Sequence, residues 1–396
     1  MITLVGNALC DNISYCRDEI RCSQPEEENR FDCHTRIRFT GAYLTAGMNR
    51  RRFLAGAGLT GVSIFAGCGS LQNQSTRSPP LVENRPDATY LPTHREGMDM
   101  AGMAEAGDYM VGLTYSFPHR FWTVTGTNAE QVTIQDADSV HLMATVWDSE
   151  RSLVLPVSAG LSISITQDGE TVADKSPWPM ISQNMGFHYG DNYQLNGDGT
   201  YEITVTVSGM NERRLGSFSD RFDQSGEMSV QFDFEQAVLD DLTFEQFPER
   251  QGDRAALDLM NMEMVPTSQL PPSESLPGQL IGTASGRDEV YVATWLSDAG
   301  FLAEDESYLA ISVRTPYNRI PLPMMSLDGV VEANGETVYD DTLSAGIHPD
   351  VGYHYGATVP ATTDSPSVTV DTVAPPQVSR HEGYETAFIT TPTLSF

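Results

Sequence analysis

From about residue 108 onward, apolar and polar positions alternate with a period of two. Val140, Leu142, Ala144 and Val146 alternate with His141, Met143, Thr145 and Trp147, the pattern of a half-buried strand. Leu161, Ile163 and Ile165 alternate likewise and run into Asp168-Gly169, a hairpin signal. Tyr201, Ile203, Val205 and Val207 predict another strand, and Met228, Val230, Phe232 and Phe234 the last of this series. A second series follows at Val290-Tyr291-Val292, residues 308–313, residues 330–332, Val368-Thr369-Val370 and Ala387-Phe388-Ile389. Short strands at near-regular spacing with Gly, Asn and Asp between them predict an all-β chain of immunoglobulin-like sandwiches.

The two series are copies of one unit. Phe187-His188-Tyr189-Gly190 returns as Tyr353-His354-Tyr355-Gly356, and Gly-Glu-Thr-Val precedes the histidine by the same interval, at residues 169–172 and again at 335–338. Agreement in both words and spacing marks an internal repeat. The expected organisation is therefore two tandem domains, residues 98–238 and 276–396, joined by a connector over 239–275. That connector holds a predicted short helix at residues 254–264 and a proline-rich exit at Pro266, Pro271 and Pro272. A chain of 396 residues is long enough for each domain to bury its own core.

The N-terminal part reads differently. Arg50-Arg51-Arg52 opens an apolar, Gly- and Ala-rich run that ends in Phe65-Ala66-Gly67-Cys68. Charged start, apolar middle and terminal cysteine, in that order, predict a twin-arginine lipoprotein signal peptide over residues 48–67, with Cys68 as the lipidated first residue after cleavage. The apolar run is shorter than the roughly 20 residues that span a bilayer. Met48 directly precedes this signal, so residues 1–47 are expected to be a non-native upstream extension. They carry Cys10, Cys16, Cys22 and Cys33 without the CxxC spacing of a zinc site. Residues 68–97, rich in Ser, Pro, Asn and Gln, are expected to form a flexible tether, completing a disordered N-terminal region.

Charge narrows the partners. The formal net charge is −31 and Lys175 is the only lysine, so nucleic acid is excluded as a partner, because phosphate binding needs a basic face. An acidic, lysine-poor surface fits a halophilic protein, since molar salt shortens the Debye length to about 3 Å. No Gly-x-Ser-x-Gly elbow, His-Glu-x-x-His or Gly-rich phosphate loop is present, and the chain is not expected to be an enzyme.

The chemistry-bearing residues are histidines and methionines. His141 and Met143 are two apart on one strand and so share a face. Met180 and His188 flank a turn-rich segment. Imidazole and thioether together suit copper, Cu(I) above all, better than calcium or magnesium. His94, Met98, Met100 and Met103 form a further soft-donor patch, for which a disordered linker is the plainer reading, and Met260, Met262 and Met264 suit one packing face of the connector. His119, in the aromatic segment Pro118-His119-Arg120-Phe121-Trp122, is a candidate ligand, with a surface histidine beside packed aromatics as the plainer reading.

Ser139-Val140-His141-Leu142, Pro179-Met180, Gly186-Phe187-His188-Tyr189-Gly190-Asp191-Asn192 and Tyr201-Glu202-Ile203-Thr204-Val205 together resemble the periplasmic iron-transport protein family. The resemblance implies an immunoglobulin-like, lipid-anchored protein that binds copper or iron beside an iron permease, and it covers about Tyr109 to Gln236, with a fainter second span from Glu289 to Phe396. It implies His141, Met180 and His188 as metal ligands. Met143 stands where the family places a carboxylate, and no histidine occurs near Met210, where the family has a late one. In the second copy Tyr308 and Ala310 take the strand positions and Gly346 the methionine position. His354 persists, His381 falls where the late histidine belongs, and His348 is an extra candidate. These complementary losses suggest a pseudo-dimer within one chain, with the first copy as the fuller site. The expected function is an extracytoplasmic, membrane-anchored copper- or iron-binding accessory of iron uptake; the alternative is a structural or adhesion pair of sandwiches without metal.

Overall fold

A computed structural model describes residues 78–297, 299–361 and 366–396. The twin-arginine signal, Cys68, the upstream extension and the start of the tether lie outside the described residues. No helix among those residues is long and apolar enough to cross a membrane.

The described chain is built almost entirely of strands, as its period-two patterning predicts. In the first copy, a nine-stranded sheet contains, in spatial order, Asp99–Ala106, Tyr109–Ser116, Val140–Asp148, Gly186–Tyr193 and Trp178–Ser182. A four-stranded sheet of Gly226–Phe234, Gly199–Val207, Leu161–Gln167 and Glu170–Lys175 makes up the rest of the copy. The alternating apolar residues foreseen from sequence, Ile163, Ile165, Ile203, Val205 and Phe232, join Leu113, Leu142 and Val146 in one buried core. All nine residues of Val140–Asp148 are buried, so this strand is central.

The second copy repeats the arrangement around Gln279–Ser285, Val290–Leu296, Glu306–Arg314 and Gly352–Pro360. The copies differ at one strand. In the second, Glu336–His348 runs unbroken for 13 residues. In the first, the corresponding stretch is split into Glu170–Lys175 and Trp178–Ser182, with Pro177 where the second copy has Leu343. Pro177 offers no N–H to the ladder, and the strand breaks there.

Each copy lends the other a two-residue strand. Ser379–Arg380 pairs in parallel with Trp178–Ser182, and Arg213–Arg214 pairs in parallel with Glu336–His348. The bonds that follow match: the His381 amide donates to the Ile181 carbonyl at 3.1 Å, and the Leu215 amide to the Ile347 carbonyl at 2.9 Å. Every member of one set lies 166 positions from its counterpart, the interval that separates the two Gly-Glu-Thr-Val words.

Three expectations are corrected. Residues 254–264 are not a helix; the Leu257 amide bonds the Gln183 side chain and the Met260 amide bonds the Asn184 carbonyl, so the segment is held extended against a neighbouring turn. Residues 387–389 are not a strand, because Phe388 takes a φ of 59°, outside the extended region. Nor does a tether run to residue 97. Tyr90, Leu91 and Thr93 are buried, the Tyr90 hydroxyl donates to Glu385, the Tyr90 amide reaches the Gly383 carbonyl at 3.1 Å, and Arg85 pairs with Glu385 at 3.2 Å. Apolar residues among the Ser, Pro and Asn of this stretch supply a packing face that its composition hides.

This docking has a measurable consequence. Tyr90→Ala is expected to destabilise the protein by about 3–5 kcal/mol in denaturant unfolding, the range for truncating a fully buried aromatic. A tether residue would change stability by less than about 0.5 kcal/mol.

Candidate metal centre

The strand register places the sequence-predicted ligands on one face. His141 is opposite Asn192 and Met143 opposite Gly190, while on the other edge of Gly186–Tyr193 Met180 is opposite His188. Residues two apart on a strand project to the same side, so His141, Met143, His188, Gly190 and Asn192 share one face. A Cβ on Gly190 would lie 2.7 Å from His141 Nε2 and 2.9 Å from Met180 Sδ. The absence of a side chain there lets these two donors converge over the backbone.

Two further histidines complete the cluster. The borrowed strand delivers His381, whose Nε2 lies 3.1 Å from Met180 Sδ. His119 enters from the turn before Phe121–Thr125, with its backbone clamped by Asn192: its amide donates to Asn192 Oδ1 at 3.3 Å and its carbonyl accepts from Nδ2 at 3.0 Å. The His119 and His141 rings are 3.9 Å apart, and His188 lies 5.2 Å from His381 between ring centroids. Ring nitrogens of His119, His141 and His381 all lie within 4.8 Å of one another. Metal bonds of about 2.0–2.3 Å from one ion reach these three nitrogens with small adjustments.

The hydrogen bonds on the far side of the rings set their tautomers. His188 Nδ1 meets the Gly186 carbonyl at 3.1 Å and His119 Nδ1 meets the Phe117 carbonyl at 3.0 Å, so both nitrogens carry hydrogen. Asn192 Oδ1 already accepts from the His119 amide, so His141 Nδ1, 2.9 Å away, also donates to it. The inward-facing Nε2 atoms of His119, His141 and His188 therefore hold lone pairs, and all three are buried without a hydrogen-bond partner. An unmet buried acceptor costs about 1–3 kcal/mol, so three of them in neighbouring rings are a destabilising arrangement, and a cation relieves those it reaches.

Burial also keeps the His141, His188 and His381 rings neutral, as ligation requires. Desolvation, reinforced by the neighbouring imidazoles, pushes His141 and His381 well below 6.5, and desolvation brings His188 down to about 4. Glu96 stands behind His119 at 3.1 Å from Nδ1. Burial alone would raise its carboxyl, but hydrogen bonds from His119 and His94 outweigh that and hold it at about 2. Arg120, next to His119, pairs with Glu382, next to His381, at 2.6 Å, tying the turn of the first copy to the segment of the second.

His354 is not brought to this centre. Its Nδ1 bonds the Gly352 carbonyl at 2.9 Å just as His188 bonds Gly186, but its Nε2 lies 3.3 Å from the Tyr308 hydroxyl. Tyr308 packs there with Leu215, Leu296 and Val351, so the place of a ligand set is filled by apolar side chains. Met143 borders the centre through a cavity of about 90 Å³, which Glu96, Met98, His119 and His381 also line. The expected patch of His94, Met98, Met100 and Met103 is ordered and divided: His94 stacks on Phe244 at 4.9 Å, Met98 faces the cavity, Met100 packs on the core and Met103 is exposed.

Sequence reasoning favoured a surface role for His119 because one histidine beside two aromatics carries no spacing signal. The residue that positions it, Asn192, was visible only as the end of a segment that carries the iron-transport resemblance.

The arrangement defines a β-sandwich protein with a histidine–methionine centre. Residues 157–238 match the family model described as Fe2+ transport protein, so this part of the chain carries the iron-transport resemblance found in its motifs. The match includes Met180 and His188 and stops short of His119, His141 and His381. Residues 274–396 match the model of a domain of unknown function, DUF7350. Among solved structures, the chain is similar to FetP of uropathogenic E. coli strain F11, recombinantly expressed in the periplasm, at 17% identity over 36% of this chain and 96% of that one, with a TM-score of 0.25. It is also similar to a copper-bound variant of FetP from the same strain, at 19% identity over 35% and 92%, with a TM-score of 0.25. No curated protein matches the chain.

The depressed histidines set a pH dependence. Between about 6.5 and about 4, an unfolded chain protonates these imidazoles while the folded one keeps them neutral, so stability falls as pH falls through that window. Thermal unfolding of the metal-free protein is expected to drop most steeply there, and His188→Gln or His354→Gln to flatten the slope. Slopes unchanged by either substitution would contradict the buried-neutral assignment.

Proposed function

We propose that the protein binds copper or iron as cargo outside the cytoplasm, as an accessory of iron uptake. The observation that carries this reading is the set of three buried Nε2 atoms without a partner, on His119, His141 and His188, whose rings lie 4.7, 5.6 and 5.2 Å from the His381 ring that in turn meets Met180 Sδ at 3.1 Å. Four imidazoles and one thioether form a borderline-to-soft donor set, suited to copper or ferrous iron and poorly suited to calcium or magnesium. The Fe2+ transport family match over residues 157–238 supports iron uptake as the process served. The reading is of holding and handing on an ion.

Cys68 as a lipid attachment point fits this role, because an ion-delivery protein works beside its permease at the membrane surface. A single acyl chain anchors a protein only marginally, so two lipid chains on Cys68 are the expected form. The two copies act as a pseudo-dimer in which the second lends a ligand and the first holds the metal. A structural or adhesion role gives no reason for converging, unpaired imidazoles.

Isothermal titration with Cu(II) and, anaerobically, Fe(II) tests the proposal on thiol-blocked protein. His188→Ala is expected to weaken binding at least about tenfold, the lower end of what even a supporting residue costs. His354→Ala is expected to leave it unchanged. Equal binding by the wild type and both variants would remove the proposal.

A further inference from the structure

We propose that the cavity beside the histidine centre is a second station for a soft monovalent ion of the Cu(I) class, held by the thioethers of Met98, Met143 and Met185. The inference rests on the metal-binding reading above and adds to it a place where the ion stops before or after the imidazoles.

Three methionines from three separate segments face one space. Met143 lies on the central strand, two residues from His141 and on the same face. Met185 lies in the turn that leads into Gly186–Tyr193, and Met98 just after the strand His94–Glu96. All three line the cavity of about 90 Å³ whose wall includes His119 and His381. Methionine in a core serves to fill irregular gaps. Here the side chains border a space large enough for more than one water instead of closing it. Met143 and Met185 are buried while Met98 is half-buried, so the row runs from the solvent edge inward.

The charges on the wall fit a cation. Arg120 also lines the cavity, but its guanidinium is paired with Glu382 at 2.6 Å. The Glu96 carboxyl group lies on the same wall. Neutral thioethers bind Cu(I) and other soft ions and discriminate against harder divalent ones. Moving an ion from this station to the imidazoles exchanges one set of neutral donors for another and needs no change of oxidation state.

Ag(I), a redox-inert stand-in for Cu(I), tests the station in the full chain after its thiols are blocked with N-ethylmaleimide. Uptake is followed by calorimetry and by the methionine-methyl carbon spectrum. The wild type is expected to take two ions at its described sites, with the methyl signals of Met98, Met143 and Met185 shifting together. Met98→Leu/Met143→Leu, which conserves volume and so keeps the fold, is expected to take one, while His141→Ala/His188→Ala loses the other ion and keeps the methionine shifts. Circular dichroism and the thermal midpoint verify that each variant is folded. Two ions in the leucine variant, or one ion in the wild type without shifts at these three methyls, would overturn the station and leave the histidine reading standing. No uptake by the wild type would overturn both.

Discussion

The centre depends on a two-residue parallel pairing. Met180 lies beside Ser379 and Ile181 beside Arg380, and only that register brings the next residue, His381, onto Met180 Sδ. A slip of one residue would turn the borrowed segment's side chains to the opposite face. The pairing is supported from three directions. Arg380 is buried, with its guanidinium donating to the carbonyls of Pro376 and Ala387. Arg120 and Glu382 close an ion pair with both side chains largely shielded from water, and residues 86–93 pack over the loop that follows. Breaking one partner of such a pair costs far more than the pair itself is worth, because it strands a charge away from solvent. The borrowed strand is thus locked by groups that cannot be removed singly.

The same exchange runs the other way with a different outcome. Arg213–Arg214 reaches the second copy in the equivalent register, but the residue delivered is Leu215. Gly346 stands where the first copy has Met180, and Tyr308 where it has His141. The Tyr308 hydroxyl satisfies His354 Nε2, the very atom left without a partner in His188. The two halves therefore carry different side chains at equivalent register positions. One half keeps the polar donors, and the other supplies a packed scaffold plus one histidine. Filling the second pocket with apolar groups removes the strain of unmet lone pairs while leaving the backbone geometry that lends His381 in place.

Much of the architecture was legible because strand periodicity survives in sequence. The alternation at residues 140–147, 161–165 and 201–207 corresponds to strands whose apolar faces meet in the core, and the repeat fixed which histidines are equivalent. His141, Met180 and His188 were readable because the motifs around them resemble the iron-transport family. What escaped were contacts between segments far apart in the chain. His119 gains its place from Asn192, 73 positions away, and the docking of Tyr90 depends on Glu385, 295 away. Neither has local periodicity to announce it. His354 was overread, since the repeated word carried the histidine but not the Tyr308 that occupies it.

The central claim is that imidazoles from both copies and one thioether grip the same ion. X-ray absorption at the metal edge of the copper- or iron-loaded protein tests it most directly. The account predicts a shell of imidazole nitrogens near 2.0–2.1 Å with one sulfur near 2.3 Å, the sulfur lost in Met180→Leu and one nitrogen lost in His381→Ala. A shell of oxygens alone, unchanged in both variants, would contradict it.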